Sequence, residues 1–248
     1  MGITYITGTD TGVGKTLTTA ALAAKLSAAG ATVAVYKPTQ TGVPGDGHGD
    51  IDEVARLSGI RTVHEGVRLD APMAPRAAAR LASRGLPPLA HHAARLMELA
   101  GMHDHVLVEG AGGLLVELDA QGHTIVDLAA STTAAARSGF VVVCRSSLGT
   151  LNHTALTLSA LQHGGFAHPA LVVGAWPETP SHIEQGNLAA LQNMGADFLG
   201  ALPAGASQLA PAVFRDKAAG RLKLPDWLCV PPSQPPSAVS ADSPEAVE

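Results

Sequence analysis

Short apolar, β-branched runs alternate along the chain with longer segments of helical periodicity. The runs lie at Ile3–Thr7, Thr32–Tyr36, Val106–Val108, Phe140–Cys144, Leu171–Val173 and Phe198–Leu202. Each run is followed by Gly or Pro with polar residues, which is typical of strands buried on both faces of a parallel sheet. The pattern therefore predicts a parallel sheet whose strands end in polar turns.

The segments between these runs predict helices. Apolar residues from Leu17 to Leu26 recur at three- and four-residue spacing, and Gly30 is a suitable C-terminal stop. Asp50 with Glu53 predicts a capping box at the start of a second helix. Further helices are predicted at Arg76–Ser83, His91–Leu99, Leu151–His163 and Ile183–Met194. The alternation of strand and helix predicts a doubly wound α/β fold with helices on both faces of a mainly parallel sheet.

The chain is predicted to form one domain over residues 1–230. Residues 64–104 show no clear strand, so we expect a helical excursion there. Residues 231–248 are rich in Pro, Ser, Ala and acidic side chains and are expected to be a disordered tail. Hydrophobic residues make up 46% of the chain but aromatic residues only 3%. The core should therefore consist mainly of Ala, Val, Leu and Ile, which suits a parallel sheet covered by Ala-rich helices.

Charge and cysteine content exclude several classes of protein. Sixteen Lys and Arg against 21 Asp and Glu give a net charge of −5 without a basic block, which argues against a nucleic-acid partner. Cys144 and Cys229 lie far apart and form no CxxC pair, so no disulfide or zinc framework is predicted. No apolar run reaches the roughly 18 residues of a membrane helix, and the N-terminus lacks signal-peptide features. We expect a cytoplasmic protein with no membrane partner.

A glycine-rich segment at residues 8–16 carries the strongest chemical signal. It follows a predicted strand and precedes a predicted helix, which is the context that a P-loop requires. Gly12 and Gly14 allow the backbone N–H groups to converge on phosphate oxygens. Lys15 can reach the β- and γ-phosphates, and Thr16 can bind magnesium. The segment predicts a P-loop NTPase-like fold that binds a nucleoside triphosphate with Mg²⁺.

This P-loop departs from the commonest pattern in two ways. The usual first glycine would be residue 9, but Thr9 occupies that place and Gly8 precedes it, so the loop is one residue longer. Asp10 occupies the position where partition-type ATPases carry a second lysine. Both departures argue against a partition-type switch ATPase.

Two further clusters follow predicted strands. Lys37 begins the run Lys37–Gly42 at the carboxyl edge of a strand, where α/β sheets bind ligands. Its ammonium could neutralise charge on a transferring phosphoryl group, or it could be a surface lysine at a strand end. Glu109 opens the run Glu109–Gly113, where P-loop enzymes place a second magnesium contact. The alternative is a glutamate that merely lines a glycine-rich turn.

Two features are ambiguous from local pattern alone. Asp50 is either the first residue of a capping box or a magnesium ligand, and Asp46 and Asp52 are alternative ligands. Thr150 is predicted to cap a helix whose free N–H groups could bind a carboxylate. An ordinary helix cap explains the second feature equally well.

Together these segments resemble the dethiobiotin synthetases. The resemblance extends from about Ile3 to Gly205. Its residues are Gly8–Thr16, Lys37-Pro38 with Thr41-Gly42, Glu109–Gly113 and Gly149–His153. The longer P-loop combined with the Glu-Gly-Ala-Gly-Gly run makes it specific. It implies an enzyme that closes a cyclic urea on 7,8-diaminopelargonic acid with CO₂, ATP and Mg²⁺. A substrate carbamate would attack the γ-phosphate, and the second amine would then expel phosphate from the mixed anhydride.

The resemblance also implies roles for individual residues. Lys15 and Lys37 would be catalytic, and Thr16, Asp50 and Glu109 would bind magnesium. The nucleotide would contact Gly12, Val13, Gly14, Lys15, Thr16, Leu17, Asp50, Glu109, Gly110, Ala111, Gly112, Gly174, Ala175, Pro203, Ala204 and Gly205. The substrate would contact Thr11, Thr41, Gly149, Thr150, Leu151 and Asn152. Residues 149–152 would come from the second subunit of a homodimer with shared sites, with a helix N-terminus at the substrate carboxylate.

One difference from the family concerns the nucleotide base. Many members carry an Asn after the strand Leu171–Val173, but this chain continues with Gly174-Ala175-Trp176-Pro177. We therefore expect relaxed base selectivity, with backbone groups near Gly174–Ala175 and Pro203–Gly205 lining the base pocket. The alternatives to this family are a partition or regulatory ATPase and an amidoligase of the cobyrinate-diamide type. The second carries a glutaminase region, for which 248 residues leave no room.

Overall fold

A seven-stranded parallel sheet forms the centre of the structure, a computed structural model that describes residues 1–228. The strands are β1 Gly2–Gly8, β2 Val33–Thr41, β3 Val63–Leu69, β4 His105–Gly113, β5 Arg137–Cys144, β6 Ala170–Trp176 and β7 Asp197–Pro203. Their order across the sheet is β3-β2-β4-β1-β5-β6-β7, and every neighbouring pair is parallel. The predicted mainly parallel sheet is thus confirmed.

Helices cover both faces of this sheet. They are α1 Lys15–Ala28, α2 Asp50–Ser58, α3 Pro75–Leu81, α4 Leu89–Met102, α5 Ile125–Thr132, α6 Thr150–His163 and α7 His182–Leu191. Short helical turns follow at Ala206–Gln208, Pro211–Val213, Phe214–Ala218 and Ala219–Arg221. None of the helices within residues 1–228 is long and apolar enough to cross a bilayer.

Alternating side chains of the strands enter two separate cores. Val33 and Val35 of β2 pack with α1, α2 and the C-terminal turns, whereas Ala34 and Tyr36 pack with α4 and α5 on the other face. Both faces of a central strand are therefore apolar, which explains why such strands are continuous apolar runs in the sequence. The predicted doubly wound architecture is confirmed.

The strand β3 contradicts the helical excursion predicted for residues 64–104. Its sequence, Val-His-Glu-Gly-Val-Arg-Leu, contains no apolar run, and most of its residues are only partly buried. β3 lies at one edge of the sheet, where polar side chains remain partly solvated, so its apolar periodicity is weak. The helices predicted within the same range are present as α3 and α4.

Some expectations from the sequence are not decided by this architecture. The tail predicted at 231–248 lies outside the described residues. The assignment of residues 1–230 to a single domain stays a prediction. Helix α5 and the turns from Pro211 to Arg221 were not predicted from the sequence.

The topology brings the three polar clusters to one edge of the sheet. β1 is central, with β4 on one side and β5 on the other, and β2 adjoins β4. Because all these strands are parallel, their carboxyl ends share one edge, where open α/β sheets bind ligands. The P-loop after β1, the Lys37 segment of β2 and the Glu109 segment of β4 therefore meet.

Candidate active site

The P-loop joins β1 to α1 through a sharply curved backbone. Gly12 and Gly14 have φ angles of 72° and 102°, in the left-handed region that favours glycine. The turn is tight at its start, since a Cβ on Gly8 would lie 2.7 Å from the Asp10 carbonyl oxygen. Lys15 Nζ donates to that same carbonyl at 3.1 Å, so the ammonium is folded back into the loop. Burial lowers the pKa of Lys15, although the Glu109 carboxylate opposes this effect.

A second cation lies between two carboxylates on the neighbouring strands. Lys37 Nζ is 2.7 Å from Asp50 Oδ2 and 2.9 Å from Glu109 Oε1. Thr16 Oγ1 donates to the same Glu109 oxygen at 3.0 Å, which connects the network to the P-loop. Burial disfavours the Lys37 ammonium, but the charges of Glu109 and Asp50 outweigh it and raise the pKa of Lys37. The side chain is 3% exposed, so this charge is held in a largely dehydrated site.

The capping box predicted from Asp50 and Glu53 is wrong by one residue. Gly49 is the N-cap of α2, and its N–H donates to the Asp52 carboxylate at 2.8 Å. Glu53 instead accepts two hydrogen bonds from Arg56. Asp50 is thereby free to point at Lys37, whose charge outweighs the effect of burial and lowers the pKa of Asp50. The Asp52 carboxylate accepts the hydrogen bond of the helix cap, and Asp46 does not line the cleft.

These groups line a cleft of about 620 Å³. Its lining residues are Thr11, Gly12, Gly14, Lys15, Thr16, Leu17, Lys37, Thr39, Gln40, Thr41, Val43, Asp50, Pro72, Met73, Ala74, Pro75, Glu109, Ala111, Gly112 and Val116. The structure thus brings together twelve of the predicted site residues. Val13 is instead buried in the α1 side of the core, and Gly110 lies within β4 against Ile125.

The apolar wall of this cleft was not predicted. It consists of Val43, the segment Pro72–Pro75 and Val116. The segment Pro72–Pro75 directly follows β3, the strand that the sequence pattern did not reveal. Its only sequence signal was the Pro-rich run Ala-Pro-Met-Ala-Pro, which marks a turn but not a ligand surface.

The oxygen donors of the cleft fit a magnesium ion. Within residues 1–228, no group of three or more His, Cys, Asp or Glu side chains could hold a metal. Thr16, Asp50 and Glu109 offer one hydroxyl and two carboxylates, which are hard oxygen ligands. Mg²⁺ is typically bound by one or two carboxylates together with waters and substrate phosphates. The residues present therefore suit a metal that binds with a nucleotide.

The residues predicted to line the base pocket lie outside this cleft. Gly174 packs directly against the P-loop, because a Cβ there would lie 2.0 Å from the Val13 carbonyl oxygen. A Cβ on Gly14 would likewise lie 2.7 Å from the Gly174 carbonyl oxygen. Ala175 is exposed, and Ala204 N–H donates to the Trp176 carbonyl at 2.8 Å, which joins the ends of β6 and β7. At Gly174, β6 and the P-loop therefore contact each other through their backbones.

The start of α6 also lies outside the cleft of its own chain. The prediction that Thr150 is the N-cap is wrong, because Gly149 is the N-cap, with a φ angle of 91°. Thr150 is the first helical residue, and its Oγ1 donates to the Arg145 carbonyl at 2.7 Å. Thr150 is buried and Leu151 is half-buried, whereas Asn152 is exposed.

Asp10 has an ion-pair partner that the sequence did not indicate. The Asp10 carboxylate contacts the Arg145 guanidinium and accepts from the Thr11 N–H. The hydrogen bond from Thr11 and the Arg145 charge hold the pKa of Asp10 below its usual range. The position that holds a lysine in partition-type ATPases therefore holds an anion joined to the loop after β5.

Comparison with known proteins agrees with this fold. A family model described as an AAA domain matches residues 4–210. The septum site-determining protein MinD from Pyrococcus horikoshii, solved in complex with Mg-ADP, has a TM-score of 0.55 at 15% identity, covering 89% of this chain and 91% of that one. The cell division ATPase MinD of Pyrococcus furiosus has a TM-score of 0.52 at 16% identity, covering 82% and 84%. At such identities the likeness concerns the fold alone.

Sequence relatives are much closer. The chain is 50% identical over 217 residues to an ATP-dependent dethiobiotin synthetase of Rhodococcus jostii, covering 86% of this chain and 91% of that protein. It is 48% identical over 232 residues to the corresponding enzyme of Streptomyces coelicolor, covering 93% of each, and 48% identical to that of Mycobacterium avium, covering 92% and 98%. The chain therefore belongs to the family of ATP-dependent dethiobiotin synthetases.

Proposed function

We propose that the chain closes a cyclic urea on 7,8-diaminopelargonate, using CO₂ and ATP and releasing ADP and phosphate. The observation that carries the proposal is the burial of Lys37 between Asp50 and Glu109, in the same cleft as the P-loop Lys15. Two fixed cations in a dehydrated cleft can stabilise the negative charge of a phosphoryl group in transit. Such a site needs no covalent protein nucleophile.

The reaction is proposed to proceed in three steps. One amine of the substrate adds to CO₂ and loses a proton, which gives a carbamate. A carbamate oxygen then attacks the γ-phosphorus as ADP leaves, giving a carbamic-phosphoric anhydride. The second amine attacks the carbamoyl carbon, closes the ring and expels phosphate. Lys37 would hold the carbamate beside the γ-phosphate, and Lys15 would steady the phosphates, so catalysis is positioning combined with charge neutralisation.

Thr16, Asp50 and Glu109 are the residues that would hold magnesium. A magnesium ion held there would supply positive charge that offsets the negative charge of the nucleotide phosphates. Lys37 is the counter-ion of both carboxylates, so its ammonium lies next to the groups that would hold the metal.

Substrate is proposed to extend from Thr11 and Thr41 in one subunit to residues 149–152 of a second. Thr11 and Thr41 line the cleft, whereas residues 149–152 lie outside it in the same chain. Leu148 precedes residues 149–152, and Leu156 lies one turn further along α6. These leucines are 80% and 62% exposed, as suits residues that a second subunit covers. Mixing inactive K37A protein with inactive N152A protein should restore activity, because mixed dimers contain one intact site. Activity that stays absent in verified mixed dimers would contradict shared sites.

The nucleotide is proposed to extend from the P-loop past Gly174 and Ala175 to Pro203, Ala204 and Gly205. These residues lie on the opposite side of the P-loop from the cleft and offer mainly backbone groups. Relaxed base selectivity follows, since no Asn is available in residues 174–177. We place the enzyme in the cytoplasm, where ATP is available.

Phosphate release tests the proposed activity. Protein is incubated with ATP, Mg²⁺, bicarbonate and 7,8-diaminopelargonate, and each component is omitted in turn. We expect phosphate only in the complete mixture, in equal amount to dethiobiotin. A regulatory switch ATPase would instead release phosphate without the diamine. The K25A variant is a control, since Lys25 lies in the last turn of α1, outside the cleft.

A further inference from the structure

An ion pair on β3 lies beside the loop that leads to Asp50. Arg68 donates from Nε to one Glu65 oxygen at 2.7 Å and from Nη2 to the other at 2.6 Å. The two side chains are 18% and 13% exposed. A two-point contact of this kind fixes the plane and the direction of the guanidinium group.

The remaining nitrogen of Arg68 holds the loop between β2 and α2. Its Nη1 donates to the Gly47 carbonyl at 2.5 Å and lies 3.5 Å from the carbonyl oxygens of Pro44 and Gly45. Three carbonyl groups of one turn therefore converge on a single cationic nitrogen. The loop is also joined to the end of β3 by the Gly42 N–H, which donates to the Leu69 carbonyl at 3.0 Å, but Arg68 is the charged side chain that holds its centre.

The same pair fixes the backbone next to Asp50. A Cβ on Gly49 would lie 2.7 Å from Arg68 Nη2 and 2.9 Å from Glu65 Oε1, so the Gly49 backbone packs directly on the pair. The Asp50 N–H donates to Gln40 Oε1 at 2.9 Å. The start of α2 is thus held from two strands, and the Asp50 carboxylate is directed at Lys37.

We propose that Arg68 is a positioning residue that sets the location of the Asp50 carboxylate and thereby the affinity of the cleft for a divalent metal. It acts through the Gly42–Gly49 loop and through Asp52 of α2, whose carboxylate lies 3.5 Å from Arg68 Nη2, and it lies outside the cleft lining. The inference rests on the proposed function, in which Asp50 is a metal ligand. Lysine cannot replace Arg68, because a single ammonium cannot hold both Glu65 oxygens and the loop carbonyls in one plane.

Binding of Mn²⁺, followed by electron paramagnetic resonance in the presence of a non-hydrolysable ATP analogue, tests this role. R68M should weaken Mn²⁺ binding by about 10- to 100-fold, as loss of a group that orients a metal ligand does. R68K should weaken it in the same direction. At saturating metal, turnover of both variants should return to within about threefold of wild type, since the ligands remain present.

Arg56 offers a matched control. It also makes a two-point contact with a glutamate three residues away, Glu53, and donates to a backbone carbonyl, that of Ser207. Arg56 itself makes no hydrogen bond to the Gly42–Gly49 loop, and its partner Glu53 contacts that loop only through the exposed His48, at 3.3 Å. R56M should therefore bind Mn²⁺ within about twofold of wild type, as expected for an exposed ion pair.

The D50N variant separates failure of this inference from failure of the proposed function. If D50N weakens Mn²⁺ binding but folded R68K does not, the positioning role of Arg68 is overturned. If D50N also binds Mn²⁺ normally, the assignment of Asp50 as a metal ligand is wrong, and the inference falls with it. Hydrogen exchange supplies a second measurement: R68K should speed exchange of the amides from Gly45 to Asp50 while the amides of β1 remain protected. Unchanged exchange in that loop would also overturn the proposal.

Discussion

The two ends of the proposed nucleotide site differ in the chemical groups that they present. Near β2 and β4, Thr16, Lys37, Asp50 and Glu109 form one connected network of charged and polar side chains. Near β6 and β7, Gly174 lies so close to the P-loop that no side chain fits. Fixed charges in a dehydrated site act strongly on phosphate, whereas discrimination between bases requires hydrogen-bonding side chains. We therefore expect an enzyme that is strict about the triphosphate and tolerant of the base.

The largest effect should follow removal of the charge at Lys37. K37A should lower kcat by at least about 100-fold, because the site loses a preorganised charge that acts on the transferring phosphoryl group. Nucleotide binding should change little, since the P-loop and Lys15 remain. Steady-state kinetics combined with nucleotide titration measure both quantities. Near-normal turnover would refute a catalytic role for Lys37, and K25A serves as the charge-matched control.

At the β6 end of the site, a methyl group added to Gly174 should displace the P-loop backbone. G174A places a Cβ against the Val13 carbonyl, a backbone collision that should lower the free energy of unfolding by about 1–3 kcal/mol and weaken nucleotide binding. G186A is the control, because Gly186 lies in α7 with open space at its Cβ position and should gain about 0.5–1 kcal/mol. Urea unfolding of both variants provides the measurement. Equal stability of the two would show that the contact between β6 and the P-loop is unimportant.

The sequence predicted those site residues that follow apolar strands. Lys37 and Glu109 come after continuous apolar runs, so their convergence follows from the parallel topology alone. The role of Asp50 was ambiguous, because a carboxylate one residue from a helix start is compatible with a cap. The contact with Lys37, made between two separate elements, places the Asp50 carboxylate in the cleft, and its role as a metal ligand stays a prediction.

The β3 side could not be predicted from periodicity. Glu65 and Arg68 satisfy each other's charge, so the strand needs no apolar run to remain at the sheet edge. The resulting position of the segment Pro72–Pro75 in the cleft was therefore also missed. On the β6 side, Gly174 was predicted as a nucleotide contact, but nothing in the sequence indicated that it packs on the P-loop.

The buried, uncharged pair Tyr36–His92 should make the stability of the fold depend on pH. Tyr36, next to Lys37, contacts His92 Nδ1 at 2.7 Å, and burial lowers the pKa of His92 to about 4. At a pH between the pKa of His92 in the folded chain and its higher pKa in the unfolded chain, only the unfolded chain binds a proton at His92. Stability should therefore fall by about 2 kcal/mol as the pH falls from about 7 to about 4.5.

Comparison with H92N isolates this contribution, because asparagine offers an amide oxygen to Tyr36 without titrating. Urea unfolding at both pH values should show a smaller loss for H92N than for wild type. Equal losses would mean that His92 is not buried in its neutral form.

The smallest effect should come from exchanging the base. The kcat/KM values with ATP, CTP and GTP should lie within about tenfold of one another, because the β6–β7 end offers mainly backbone groups. Initial rates at matched Mg²⁺ concentrations provide the comparison. A preference for ATP above about 100-fold, or roughly 2.7 kcal/mol, would contradict the expected tolerance of different bases at the β6–β7 end.

Isotopic labelling is the sharpest test of the proposed ring closure. The protein is incubated with ¹³C-labelled bicarbonate, 7,8-diaminopelargonate, Mg²⁺ and ATP, and the product is analysed by mass spectrometry together with the phosphate released. We expect dethiobiotin that carries the label in its ring carbonyl, with one phosphate formed for each labelled molecule. Phosphate release without labelled dethiobiotin would contradict it.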